Sequence, residues 1–131
     1  MRIPQALFDD IVAHALDEAP GECCGMIAAH DGEAVRVHRA RNIAAAKPLA
    51  YEMDPMEQFK IHQAIEDDGL ELGAIYHSHT RSAPYPSQTD VNLAFYPESL
   101  YVIVGVSGDE PEVRAFTIIE RAIAEAELHV V

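Results

Sequence analysis

His77-Ser78-His79-Thr80-Arg81-Ser82-Ala83-Pro84-Tyr85-Pro86-Ser87-Gln88-Thr89-Asp90 is the stretch on which the reading of this chain turns. It follows Leu70-Glu71-Leu72-Gly73-Ala74-Ile75-Tyr76, an apolar run of the kind that forms a buried strand. Alternate side chains of a strand share a face, so His77 and His79 project together while Ser78 points away. Two imidazoles side by side at a strand end suit one metal ion. Beyond a loop containing Pro84 and Pro86, Asp90 is placed to return as a third ligand. Two nitrogens and one oxygen suit zinc, and three protein ligands leave a position open for water, which is the catalytic arrangement. The same residues carry a second reading. Ser87-Gln88-Thr89-Asp90 fits a helix capping box, with Ser87 as N-cap and Asp90 reaching back to the backbone. The spacing alone leaves both open.

His-Ser-His, seven residues, Ser, two residues, Asp resembles the motif of the JAMM (MPN+) zinc metalloproteases, and His77, His79, Ser87 and Asp90 match it without a gap. That family also carries an upstream glutamate, often set as P-x-E-x-C-G, and this chain has Pro20-Gly21-Glu22-Cys23-Cys24-Gly25. The resemblance implies Zn2+ held by His77, His79 and Asp90, where bound water has its pKa lowered to ~7. It implies Glu22 as the base that hydrogen-bonds this water without being a ligand, and Ser87 as hydroxyl donor to the oxyanion.

The family's chemistry is cleavage after the C-terminal Gly-Gly of ubiquitin-like proteins. The compact chain, with Thr80 where many relatives have proline, looks most like the small prokaryotic members that act on sulfur-carrier proteins. In one such pathway the enzyme releases cysteine from a carrier–cysteine adduct, and that is the expected activity. The alternatives are an isopeptidase removing small ubiquitin-like modifiers from lysines, and a non-catalytic scaffold. The scaffold reading is disfavoured because every ligand position is intact. A zinc nucleoside deaminase, with broadly similar layering of sheet and helices, needs a P-C-x-x-C ligand pair, and this chain has only the adjacent Cys23-Cys24.

Composition bounds the partners. The formal net charge of −13 argues against nucleic acid and anionic membrane surfaces. No apolar run approaches a membrane span, and Met1-Arg2-Ile3-Pro4-Gln5 enters a helical pattern without a signal-peptide core, so a cytoplasmic protein is expected. Adjacent cysteines exclude a disulfide framework; Cys24 occupies the family's cysteine position, and Cys23 is weighed as a redox-sensitive thiol.

The hydrophobic pattern predicts a helix over 4–18 (Leu7, Ile11, Ala15 with Phe8, Val12, Leu16), with His14 at its surface. Strands are expected over 22–29 and 34–41, joined by His30-Asp31-Gly32, with His30 and His38 facing solvent. A short strand is expected over 49–53, and a helix opened by Asp54-Pro55-Met56-Glu57, with His62 at its surface. After the motif come a short helix from Ser87 to about Phe95, a central apolar strand over 100–106, and two last strands over 112–119 and 124–131. These elements, with 131 residues to bury a core, predict one α/β (α+β-like) domain over 1–131: a mixed, curved sheet flanked by helices. Which sheet edge receives a substrate tail, and the oligomeric state, are not legible here.

Overall fold

The computed structural model describes all of residues 1–131. In chain order the elements are β1 (Arg2–Ile3), α1 (Gln5–Glu18), β2 (Cys24–His30), β3 (Glu33–Ala40), α2 (Pro55–Asp67), β4 (Glu71–His79), α3 (Gln88–Asn92), β5 (Leu100–Gly105), β6 (Glu112–Ile119), β7 (Ala122–Ala126) and β8 (His129–Val130). They form one mixed eight-stranded sheet in the order β7-β6-β5-β4-β2-β3-β1-β8. The fold is the mixed α/β arrangement expected.

Alternation along β4 sorts the two faces of the sheet. Ala74 and Tyr76 join the core beneath α1, with Ile11, Ala15, Cys23, Ile27 and Val102. Ile75 lies on the opposite face, in the cluster with Tyr101 and Ile118, beside the α2 cluster of Met26, Ile61 and Ile65. His77 and His79 continue the Ile75 face, and Ser78 continues the Tyr76 face. β4 and β5 run parallel, so the chain must cross back after His79, and α3 lies in that crossover. The loop before α3 lies on the end of β5: a Cβ at Gly105 would come within 2.8 Å of the Pro84 ring.

Four local expectations are corrected. Residues 49–53 form no strand: Leu49 and Ala50 donate to the Ala46 carbonyl in a turn, leaving one isolated bridge between Asn42 and Met53. The last segment divides, with β7 pairing β6 at one end of the sheet and β8 pairing β1 at the other. Only Glu127 and Leu128 separate β7 from β8, so the sheet curls until its two ends approach. His14 lies on the buried face of α1 with Ile11 and Ala15, because the enclosed Tyr76 phenol needs a polar partner and finds the His14 ring at 2.7 Å. His38 is half-buried, whereas His30 is exposed as expected. No helix is long and apolar enough to cross a membrane.

Candidate metal centre

The end of β4 is held on both sides, by β2 through the Cys24–His77 pair and by β5 through His79–Gly105. Both histidines are therefore buried and fixed in direction by the sheet, with exposures of 1 % and 3 %. Asp90 reaches them from α3. Its Oδ2 lies 3.2 Å from His77 Nε2 and 3.1 Å from His79 Nε2, and the two Nε2 atoms are 3.1 Å apart. A tetrahedral zinc ion with ligands at ~2.0–2.1 Å would set its donor atoms about 3.3–3.4 Å from one another, close to this triangle. The donor chemistry fits as well. His79 Nδ1 donates to the Ala83 carbonyl at 2.9 Å, which leaves the Nε2 lone pair facing inward. A proton at the centre of such a triangle satisfies one donor pair, whereas a divalent cation satisfies all three.

Asp90 owes its place to the start of α3. Ser87 Oγ accepts the Asp90 N–H at 3.1 Å, and Asp90 Oδ2 accepts the Ser87 N–H at 2.9 Å, so the capping box is complete. Burial raises the Asp90 pKa, but the two imidazoles and the Ser87 N–H outweigh it and hold the carboxyl well below the usual carboxylate range. The Ser87 hydroxyl gives up a lone pair to the cap and keeps its proton free to donate. Both readings of Ser87-x-x-Asp90 are thus compatible in geometry.

Glu22 sits just before β2, buried at 6 % exposure, with a carboxylate oxygen within 4.8 Å of the ligand nitrogens of His77 and His79. Burial pushes its carboxyl up to about 7, against the opposing pull of His79. The structure therefore brings together Glu22, His77, His79 and Asp90, with Ser87 at the rim. Cys23 and Cys24 are both buried, and burial raises their thiols to about 11 and about 12, so neither has the character of a redox-sensitive thiol.

Two residues at the site are not among the candidates read from the sequence. The Tyr51 ring stacks on His77 with centroids 4.5 Å apart and planes 24° from parallel. It falls in the 49–53 stretch read as a strand, and strand alternation does not show which ring it meets. Tyr51 also lines an apolar pocket of about 250 Å³ with Met26, Ile75, Tyr96 and Tyr101. Ser78, between the two ligands, is fully buried and its Oγ accepts the Cys23 N–H at 2.8 Å, tying β4 to the residue after Glu22. Only the serine within His-Ser-His hinted at this.

Residues 4–119 match the family described as prokaryotic homologs of the JAB domain. The CysO-cysteine peptidase of Mycobacterium tuberculosis is 37 % identical over 127 residues, covering 95 % of this chain and 87 % of that protein. A desampylase of Haloferax volcanii is 40 % identical over 107 residues, 76 % of each chain. A probable TtuB-protein conjugate cleaving protease of Thermus thermophilus is 38 % identical, covering 90 % of this chain and 76 % of that one. Among solved structures, protein DSY2949 of Desulfitobacterium hafniense superposes with a TM-score of 0.88 at 27 % identity, over 100 % of this chain and 93 % of that one. The JAB1/MPN domain protein AF2198 of Archaeoglobus fulgidus shares the fold, with a TM-score of 0.68 at 21 % identity over 100 % and 99 % of the two chains. The chain belongs to the family of prokaryotic homologs of the JAB domain.

Proposed function

We propose that this protein is a zinc-dependent amidase that cleaves the bond after the C-terminal Gly-Gly of a ubiquitin-like sulfur-carrier protein and releases cysteine from a carrier–cysteine adduct. The observation that carries the reading is the convergence of His77 Nε2, His79 Nε2 and Asp90 Oδ2 within 3.2 Å, with the buried Glu22 carboxylate beside them. The similarity to a CysO-cysteine peptidase over 95 % of the chain supports the choice of substrate. Held by His77, His79 and Asp90, a zinc ion would supply an acidified water and Lewis-acid polarisation of the scissile carbonyl.

The remaining steps belong to the protein's own groups. Glu22 takes a proton from the attacking water as its oxygen bonds to the terminal glycine carbonyl carbon. Ser87 donates its hydroxyl proton in a hydrogen bond to the carbonyl oxygen as negative charge gathers there. Glu22 then passes its proton to the amide nitrogen, the C–N bond breaks, and the carrier leaves with a free glycine carboxylate while cysteine leaves as the amine.

Intact-mass spectrometry of a cysteine-adducted carrier protein incubated with zinc-loaded enzyme tests this. The expected result is loss of one cysteinyl mass, absent with Glu22→Ala protein that still holds its metal. A Glu22→Ala protein without metal would count against the base assignment. The second reading, an isopeptidase acting on modifier–lysine conjugates, is favoured by the 40 % identity to a desampylase. It predicts an unchanged adduct mass and cleavage of a conjugate in the same assay.

A further inference from the structure

Glu22 stands in the irregular link between the Ala19-Pro20 turn and β2, where no ladder of strand hydrogen bonds fixes its direction, yet a base must hold its place to a fraction of an ångström. The backbone around it is gripped by side chains from two other segments. On one side, Asn42 Nδ2 donates to the Glu22 carbonyl at 3.0 Å and to the Ala50 carbonyl at 3.0 Å. Asn42 Oδ1 accepts the N–H groups of Ala44 at 2.9 Å and Glu52 at 3.0 Å. Both amide hydrogens and both lone pairs are used, and the two kinds of partner fix which way the carboxamide points. On the other side, Thr80 Oγ1 donates to the Pro20 carbonyl at 2.9 Å, from the residue that directly follows the ligand His79. The Glu22 N–H itself donates to the Lys47 carbonyl at 2.8 Å, within the loop that Asn42 organises.

We propose that Asn42 and Thr80 are positioning residues for Glu22, clamping its segment between the 42–52 loop and the end of β4 so that the carboxylate faces the two histidines. This rests on the reading of Glu22 as the base. Neither residue needs to touch substrate or metal. The clamp therefore acts on the rate of the chemical step and leaves metal uptake alone.

The test measures kcat, KM and metal content for Thr80→Val, Thr80→Ser and Asn42→Asp protein on the Gly-Gly amide substrate. Thr80→Val keeps the shape and removes the donor; Thr80→Ser keeps the donor. Asn42→Asp removes both N–H donors and keeps the acceptor. A misplaced base costs about 10- to 100-fold in kcat. We expect that loss in Thr80→Val and Asn42→Asp with KM little changed and full metal content, and recovery in Thr80→Ser. Unchanged kcat in Thr80→Val, an equal loss in Thr80→Ser, or loss of metal along with activity overturns the proposal. If Asn42→Asp does not fold, the partly exposed Thr80 pair decides alone. Glu22→Ala separates the two levels: retained turnover there overturns the base itself, whereas an inactive Glu22→Ala beside a fully active Thr80→Val overturns only the clamp.

Discussion

Asp90 Oδ2 accepts the backbone N–H of Ser87 at 2.9 Å and is the same oxygen that faces both His77 Nε2 and His79 Nε2. The start of a five-residue helix thus orients a carboxylate that two strand histidines await. The hydroxyl of Ser87 holds the Asp90 N–H while the backbone N–H of Ser87 holds the Asp90 carboxylate, so one cap organises both groups.

Ser87 is a helix cap in the structure and an oxyanion donor in the proposed mechanism, and the two are separable by experiment. Ser87→Ala should lose about 1 kcal/mol of stability with the cap, whereas Ser87→Gly should lose only a few tenths. If the hydroxyl also donates to the oxyanion, both variants should lose turnover by about 10²–10³-fold. Urea denaturation and single-turnover rates on the two proteins separate the contributions. Recovery of the rate in Ser87→Gly would reduce Ser87 to a helix cap.

Gly25, the glycine of the Pro20-x-Glu22-x-Cys24-Gly25 stretch, has a steric reason for its identity. A Cβ there would lie 2.4 Å from Tyr76 Cε1 and 2.5 Å from the His38 carbonyl oxygen. Tyr76 is fully buried and hydrogen-bonded to His14, so its ring has nowhere to retreat. Gly25→Ala should therefore destabilise the protein by about 1–3 kcal/mol. Because Tyr76 precedes His77, the variant should also bind metal more weakly. Thermal unfolding with and without added zinc reads both effects, and wild-type values for both would show that the sheet yields here at no cost.

The parts of the site legible in the sequence are those set by covalent spacing. Strand alternation places His77 and His79 together, and the three-residue step from Ser87 to Asp90 makes a capping box whatever the rest of the chain does. Other features depend on partners far along the chain. Helical spacing from Leu7 and Ile11 already puts position 14 on the apolar stripe, but a histidine's polarity argues for the surface, and what keeps it inside is Tyr76, in a different element, which takes its nitrogen as a partner. The 124–131 segment divides because the sheet curls, and that curvature belongs to eight strands together. The stretch around Tyr51 alternates like a strand, yet with Asn42 it forms an irregular segment held by side chain-to-backbone bonds, which alternation does not reveal.

Tyr51 stacks on His77, one of the proposed metal ligands, whereas its neighbour His79 is held by the Ala83 carbonyl. Groups that orient a ligand are typically worth about 10- to 100-fold in metal affinity. Tyr51→Ala should weaken zinc binding by that factor and Tyr51→Phe, which keeps the stacked face, should not. Competition against a chromophoric chelator measures this; equal affinity in Tyr51→Ala and wild-type protein would leave the strand geometry alone as the source of ligand orientation.

His14 makes folding stability pH-dependent in a defined direction. Burial, followed by the Arg39 charge, lowers its pKa below the ordinary 6.5, while Glu18, Asp10 and Asp17 pull the other way without prevailing. The folded protein therefore holds His14 neutral at pH values where the unfolded chain binds a proton. Above about pH 6.5 both states are neutral and His14 contributes no pH dependence. As pH falls below that value, the unfolded state gains a proton that the folded state refuses, and stability drops by up to about 1.4 kcal/mol per pH unit until the lowered folded pKa is passed. His14→Gln keeps a hydrogen-bonding group for the Tyr76 hydroxyl and removes the titration. The difference in unfolding free energy between wild type and His14→Gln, measured from about pH 7.5 down to about 5.5, should be flat at the upper end and move against the wild type below about 6.5. A difference that stays constant across the range would mean that His14 takes up its proton without disturbing the fold.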